Sequence, residues 1–213
     1  MLLLNRHYRS IHQIKERTTM KILAFAATSN SKSINKQLVN YATSLVDPQQ
    51  HDVEIIDLND YELPLYSEDR EAELGQPEPA RVFIDKIAAS DAIVISFAEH
   101  NGSYTAAYKN IFDWASRITK QVFQGKQMVM LSTSPGPGGA ANVLKSAVES
   151  SRFFGGIVVG KLSVPNFYDK FDSVTSKLND KTLHSELGDM MRELVIADDS
   201  SDKIPDYKHA ANS

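Results

Sequence analysis

Five apolar runs of strand length, each separated from the next by an amphipathic stretch, constrain this chain more than any other feature. They are Ile22–Ala27, Val53–Leu58, Ala92–Phe97, Met128–Thr133 and Ile157–Val164. Most are continuous rather than alternating, the pattern of strands covered on both faces. Ile34, Leu38, Ala42 and Leu45 share one helical face, and Phe83, Ile84, Ile87 and Ala88 share another before the third run. Ala107, Ile111, Trp114 and Ile118 follow the third run, and Leu144, Ala147, Val148 and Ser151 follow the fourth. Leu183, Leu187, Met190, Met191 and Leu194 predict a C-terminal helix. Strand–helix alternation of this kind builds βαβ units, and these runs predict an α/β fold: a doubly wound five-stranded parallel sheet with helices on both faces.

At 213 residues, 42% hydrophobic and 23% charged, the chain fits one such domain and is too apolar for disorder. No apolar run approaches the ~18–20 residues of a membrane span, and no membrane association is expected. The absence of cysteine excludes disulfides, thiolate metal sites and cysteine nucleophiles. The six histidines show no metal-ligand spacing, so no metal is expected. Net charge is −4; Arg6, Arg9, Lys15 and Arg17 against Glu16 give the first 19 residues +3, which leaves −7 for the remainder. An acidic body argues against a nucleic-acid surface.

Residues 1–19 read as an N-terminal extension outside the fold, because Leu2-Leu3-Leu4 precedes the basic residues, the reverse of a signal peptide. The domain is expected over 20–195, with a polar tail over 196–213, in a cytoplasmic protein. Asn59 to about Glu78, with Pro64, Pro77 and Pro79 in and beside it, reads as one long irregular stretch, and such stretches usually carry function or an interface.

Ligands of open parallel sheets bind beyond the carboxyl ends of the strands, and three of those ends are unusual here. The first run leads into Thr28-Ser29-Asn30-Ser31-Lys32-Ser33-Ile34-Asn35, rich in hydroxyls and amides and opening a helix. Hydroxyls beside the free N–H groups and positive dipole end of a helix make a phosphate cradle. N-capping by Ser31 or Ser33 explains one or two of these residues but not all of them. Neither G-x-x-x-x-G-K-[ST] nor G-x-G-x-x-G is present, so the reading is a mononucleotide, with FMN the natural candidate in this topology. After the third run, Ala98-Glu99-His100-Asn101-Gly102-Ser103 contains a turn dipeptide, with Ser103 a candidate N-cap of the next helix. After the fourth, Ser134-Pro135-Gly136-Pro137-Gly138-Gly139 is stiff and poor in side chains, suited to backbone contact with a flat heterocycle.

These stretches resemble the NADPH-dependent FMN reductase family of flavodoxin-like proteins, which includes quinone- and chromate-reducing members and azoreductases. The family pattern is roughly G-S-x-R-x-x-S-x-N, then P-E-Y-N-x-S and L-K-N-x-x-D-W, then S-P-G-x-x-G-G. Here the stretches read A-T-S-N-S-K-S-I-N (Ala27–Asn35), A-E-H-N-G-S (Ala98–Ser103), Y-K-N-I-F-D-W (Tyr108–Trp114) and S-P-G-P-G-G (Ser134–Gly139). The resemblance implies a flavodoxin-like fold in which Thr28, Ser29, Asn30, Ser33 and Asn35 form the phosphate loop. It implies that Glu99, His100, Asn101, Gly102 and Ser103 line one side of the flavin. Ser134, Pro135, Gly136, Gly138 and Gly139 would line the other. Glu99 also reads as an inter-subunit or loop-fixing carboxylate, His100 as a site wall, and Trp114 as core or subunit contact.

Asn30 stands where the family pattern has arginine, removing a fixed cation; Lys32, two residues on, is a substitute point charge, and FMN affinity is expected to be reduced rather than lost. Ala98 and His100 replace proline and tyrosine beside the flavin ring. The implied activity is hydride transfer from NADPH or NADH to FMN and on to a small-molecule electron acceptor, in a ping-pong scheme without an obligatory catalytic side chain. The implied assembly is a homodimer or homotetramer. Two alternatives stay open: a flavodoxin-like one-electron carrier, and a flavin-free relative that keeps the fold.

Overall fold

Residues 19–196 are described in the computed structural model of the chain. Five parallel strands, β1 (Lys21–Ala27), β2 (Asp52–Ile56), β3 (Ala92–Phe97), β4 (Gln127–Thr133) and β5 (Ile157–Val164), form one sheet in the order 2-1-3-4-5. Strand order reverses between β1 and β3, so the loops leaving those strands diverge and open a crevice at their carboxyl ends.

The continuous apolar runs have the expected cause. In β1, Leu23, Phe25 and Ala27 face one layer while Ile22, Ala24 and Ala26 face the other, and all are buried. The first layer holds α3 (Glu78–Ala88), α4 (Ala106–Ile118) and α5 (Ala141–Ser151), through residues such as Phe83, Ile111 and Val143. The second holds α1 (Ile34–Thr43) and α7 (Lys181–Ile196), through Leu38, Ala42, Leu187 and Met191. The two strands that depart most from full burial, β2 and β5, are the edge strands of the sheet. β2 stops at Ile56; Leu58 begins a 3-10 turn (Leu58–Tyr61) capped by the Asp57 carboxylate.

Two stretches differ from the sequence reading. Asn59 to Glu78 is not irregular throughout: after the 3-10 turn it contains α2 (Glu68–Leu74), and α3 begins at Glu78. No residue of α2 is buried, so it carries no apolar periodicity. Its only sequence marks are its caps: Ser67 accepting from Arg70 N–H, acidic residues in the first turn, and Gly75 at φ +67°. The second difference lies between β5 and α7. There α6 (Phe167–Lys170) and a small hairpin, Phe171–Asp172 with Lys177–Leu178, bury Phe167, Phe171 and Leu178 in the same layer as α1. Phe171 meets Tyr41 edge-on at 6.0 Å.

Asp180 ties this hairpin segment to α7. Its Oδ1 accepts the N–H groups of Thr182 (3.0 Å) and Leu183 (3.2 Å), and its Oδ2 accepts from Lys170 Nζ at 2.6 Å. The Lys170 hydrogen bond, followed by those backbone bonds, holds the Asp180 carboxyl below its ordinary value. A depressed folded value means the contribution is present above about pH 4 and is lost as pH falls through the folded value. Asp180→Ala is therefore expected to lower the urea midpoint at pH 7. The gap to the parent chain should narrow in titrations at decreasing pH; a gap independent of pH would contradict this.

The expected extension over 1–19 and tail over 196–213 lie, apart from Thr19 and Ile196, outside the described residues. Among the described residues, no helix is long and apolar enough to cross a membrane, and no cluster of His, Asp and Glu is arranged to hold a metal.

Candidate functional site

The carboxyl ends of β1, β3 and β4, with the segment after β5, surround a cleft of about 230 Å³. Thr28, Asn30, Ser33, Asn35, Glu99, His100, Ser134 and Pro135 line it, as does Lys32. Ser29 instead faces an adjoining hollow of about 270 Å³ with Leu63 and Asn110. Asn101, Gly102 and Ser103 sit exposed on a hairpin, and Gly136, Gly138 and Gly139 shape the loop without lining the cleft. Ile34, Thr133 and Tyr168 line the cleft and were not anticipated. Thr133 was findable as the last residue of the fourth apolar run; Tyr168 belongs to a segment with no motif.

The first loop is held by its own side chains. Asn30 N–H donates to Thr28 Oγ1 (3.2 Å), Lys32 N–H to Asn30 Oδ1 (2.9 Å), and Asn35 N–H to Ser33 Oγ (3.2 Å), which makes Ser33 the N-cap of α1. Asn35 is the tie between loops. Its Nδ2 donates to the Thr133 carbonyl (3.2 Å), while its Oδ1 accepts from Thr133 N–H (3.1 Å) and Ser96 Oγ (2.8 Å). β3 pairs with β4 only as far as Phe97 with Ser132. The amide of Asn35 continues the ladder by one residue, and its polar atoms are directed into the sheet end.

In the third loop, Glu99–His100 pairs antiparallel with Ser103–Tyr104, and the two residues between, Asn101 (φ +53°) and Gly102 (φ +77°), form the tight turn. Two positive φ values in a two-residue loop are the type I′ requirement that Asn-Gly meets best. Ser103 is therefore a strand residue and not an N-cap; Thr105 caps α4 instead, accepting from Tyr108 N–H and donating to the Ala27 carbonyl at 2.9 Å. Glu99 fixes a loop: its Oε2 accepts Val143 N–H at 2.9 Å in the first turn of α5. That helix has Ala140 at its N-cap position and no side-chain cap of its own, so a carboxylate from the neighbouring loop fills its positive end.

The fourth loop is anchored at Gly139. Its carbonyl accepts from Ser132 Oγ and Ser163 Oγ, both at 2.8 Å, while the Gly136 carbonyl accepts Asn166 N–H at 2.9 Å. On α4, Trp114 is fully buried and donates Nε1–H to the Pro64 carbonyl at 2.8 Å; Asn110 clasps Leu63, Pro64 and Tyr66. Both residues hold the loop after β2 and stay out of the cleft. Lys36 and Arg117, which do not line the cleft, are each engaged with a carboxylate. Lys36 pairs with Asp57; burial pushes that carboxyl up, but Lys36 and Asn59 outweigh it and hold it low. Arg117 Nε donates to both oxygens of Glu71, at 3.0 and 2.9 Å, and holds that carboxyl low.

The sequence model of the NADPH-dependent FMN reductase family matches residues 20–169. The chain belongs to this family. An NAD(P)H-dependent FMN reductase of Pseudomonas aeruginosa is 36% identical over 57% of the chain, a match that spans 64% of that relative, slightly under two thirds. A 2-hydroxy-1,4-benzoquinone reductase of a Burkholderia species is 34% identical over 72% of this chain and 80% of its own. Among solved structures, the flavoenzyme NAD(P)H:(acceptor) oxidoreductase FerB of Paracoccus denitrificans superposes with a TM-score of 0.69 at 23% identity, over 84% of this chain and 96% of that one. That likeness bears out the flavodoxin-like fold. The family, by its description, is one of FMN reductases that depend on NADPH.

The donors on the loops that form the cleft suit a phosphorylated flavin. Among the described residues, the N–H groups of Ser31 and of Ile34, the first residue of α1, have no intramolecular acceptor. Neither do those of Gly136 and Gly138, where an added Cβ would meet nothing within 4 Å. The first pair offers anion-binding donors at a helix N-terminus, and the second an open backbone edge for the polar rim of a ring.

Proposed function

We propose that this chain is an NAD(P)H-dependent FMN oxidoreductase that reduces a small organic acceptor of the quinone type. The observation that carries this is the convergence of the loops after β1, β3 and β4 on one cleft, with unpaired N–H groups on the first and last of those loops suited to the phosphate and the ring of FMN. Bound FMN would supply the redox chemistry, hydride acceptance from NAD(P)H and two-electron reduction of the acceptor, in the proposed ping-pong scheme. The protein's part is to hold and orient. Ser31, Lys32, Ser33 and the first turn of α1 fix the phosphate end. Gly136 and Gly138 meet the ring edge through backbone N–H groups, and Glu99 locks the two flanking loops together by capping α5. Thr28, Asn30 and Asn35 act on the cofactor indirectly, by setting the shape of the first loop. No side chain is assigned a catalytic role. The relatives named as quinone reductases support the acceptor class, and a free flavin, an azo compound or a metal oxyanion would enter the same cleft. The working unit is proposed to be the 20–195 domain in a homodimer or homotetramer.

The test is the visible spectrum of the purified chain with added FMN, followed anaerobically on addition of NADPH and then of a benzoquinone. The expected result is bleaching of the flavin band in one two-electron step and its return on adding the quinone. Bound flavin that NADPH leaves oxidised, with dithionite reducing it in two one-electron steps, would replace this reading with the electron carrier. Failure to bind FMN at micromolar concentration would overturn it in favour of a flavin-free relative.

A further inference from the structure

We infer that Tyr168, on the segment after β5, joins Lys32 as the phosphate-holding pair of this chain, in place of the arginine that the family pattern puts at position 30. The inference rests on the proposed FMN reading of the cleft and adds a ligand residue from an element outside the motif-bearing loops.

Asn30 does not supply what an arginine would. Its Oδ1 accepts Lys32 N–H at 2.9 Å, so the side chain closes a turn that presents Lys32, and it carries no charge. Among the described residues, Lys32 is the sole lysine or arginine lining the cleft, it is exposed, and its ammonium has no carboxylate partner. The acid on the same wall, Glu99, is already engaged with α5. A phosphate dianion at this helix end therefore meets one mobile point charge where the pattern offers a fixed two-pronged cation, which leaves room for a second side-chain donor.

Tyr168 is placed to be that donor. It lines the same cleft, yet it is 69% exposed, and its hydroxyl has no partner among the described residues. Its backbone position is set from two sides. Asn166, in the left-handed region at φ +50°, and Phe167 donate their N–H groups to the carbonyls of Gly136 and Ser134, at 2.9 and 3.1 Å. Phe167 and Phe171 stack on each other at 4.7 Å and are buried in the layer that holds Leu38 and Tyr41 of α1. Phe171 meets α1 at Tyr41, two turns into the helix, and Tyr168 precedes Phe171 by three residues and lines the cleft with Ile34, the first residue of that helix. The ring thus shares the cleft with Lys32 and Ile34, at the N-terminal end of α1. The ring meets Phe167 edge-on at 5.7 Å and is otherwise mostly in solvent; its hydroxyl is free to donate to an anion.

The experiment measures dissociation constants of FMN and of riboflavin, which lacks the phosphate, for the full chain and for Tyr168→Phe, Tyr168→Ala and Lys32→Gln. Both positions are exposed, so the variants are expected to fold. Losing one hydrogen bond to a charged group corresponds to about a tenfold to hundredfold change in affinity. Tyr168→Phe and Lys32→Gln are each expected to weaken FMN by that factor and to leave riboflavin unchanged, and in both the NADPH-to-NADH preference stays as in the parent chain. If Tyr168→Phe is silent while Tyr168→Ala weakens FMN and riboflavin alike, the ring stacks on the flavin and the inference is wrong. Unchanged FMN affinity with a fallen NADPH-to-NADH preference would assign the pair to the dinucleotide's 2′-phosphate instead. FMN binding that is tight in the parent and indifferent to all three variants defeats the inference alone, whereas a parent chain that binds no FMN defeats the functional reading with it.

Discussion

Asn35→Ala is expected to destabilise the fold by about 2–4 kcal/mol, because it strands Thr133 N–H and the Thr133 carbonyl in a buried place. Asn35 is 2% exposed, and its amide makes three hydrogen bonds to Thr133 and Ser96 across the ends of β3 and β4. A direct phosphate ligand behaves differently on truncation: affinity falls and the unfolding midpoint stays. For a clasp, both fall together, because the loop after β1 is released from the end of β4. Asn35→Asp separates the cases further. A carboxylate still accepts from Thr133 N–H and Ser96 Oγ but cannot donate to the Thr133 carbonyl, so it too should lose stability. Urea unfolding with parallel FMN titration measures this, and an unchanged midpoint in Asn35→Ala would restore Asn35 as a phosphate ligand.

Gly139→Ala is the second large effect. The residue sits at φ +58°, where an L side chain costs about 1–2 kcal/mol. The added Cβ would also fall inside contact distance of Ser163 Oγ and lie 3.0 Å from the backbone nitrogen of Pro165. The serine side chain can turn aside only by giving up its bond to the Gly139 carbonyl, and the proline backbone cannot yield without moving the segment that carries Asn166 and Tyr168. With the usual cost of overpacking added, the total is about 2–4 kcal/mol, accompanied by loss of FMN affinity as the loop shifts. Gly138→Ala is the matched control: it lies one residue away in the same loop, has open space at its Cβ and no positive φ, and should unfold like the parent chain. Equal midpoints for the two variants would show that the loop relaxes more easily than this geometry implies.

Much of the architecture was legible in the sequence because burial on both faces leaves a signature in every central strand. Leu23 and Ile22, or Met128 and Val129, go to opposite layers, so both must be apolar and the run is unbroken. The Asn101-Gly102 turn was legible for a similar reason: positive φ at two successive positions admits few residues. The short helix α2 was not, since with no buried residue it has no periodic face to betray it. Ser103 was mistaken for an N-cap because a serine before a helix is the usual signal, while the true cap, Thr105, is chosen by its second bond to the Ala27 carbonyl on a different strand.

The sequence by itself determined the layered α/β sheet, the three loops at the strand ends, and the family to which their motifs belong. Each of these depends on local conformation or on periodic burial, and both are written into neighbouring residues. Only the tertiary structure decided what the motif residues do. Asn35 faces a strand it is 98 residues away from, Glu99 caps a helix 44 residues on, and Tyr168 reaches the cleft from a segment with no motif at all. Such roles depend on which chain ends the sheet brings together, and that is fixed by packing over long separations in sequence.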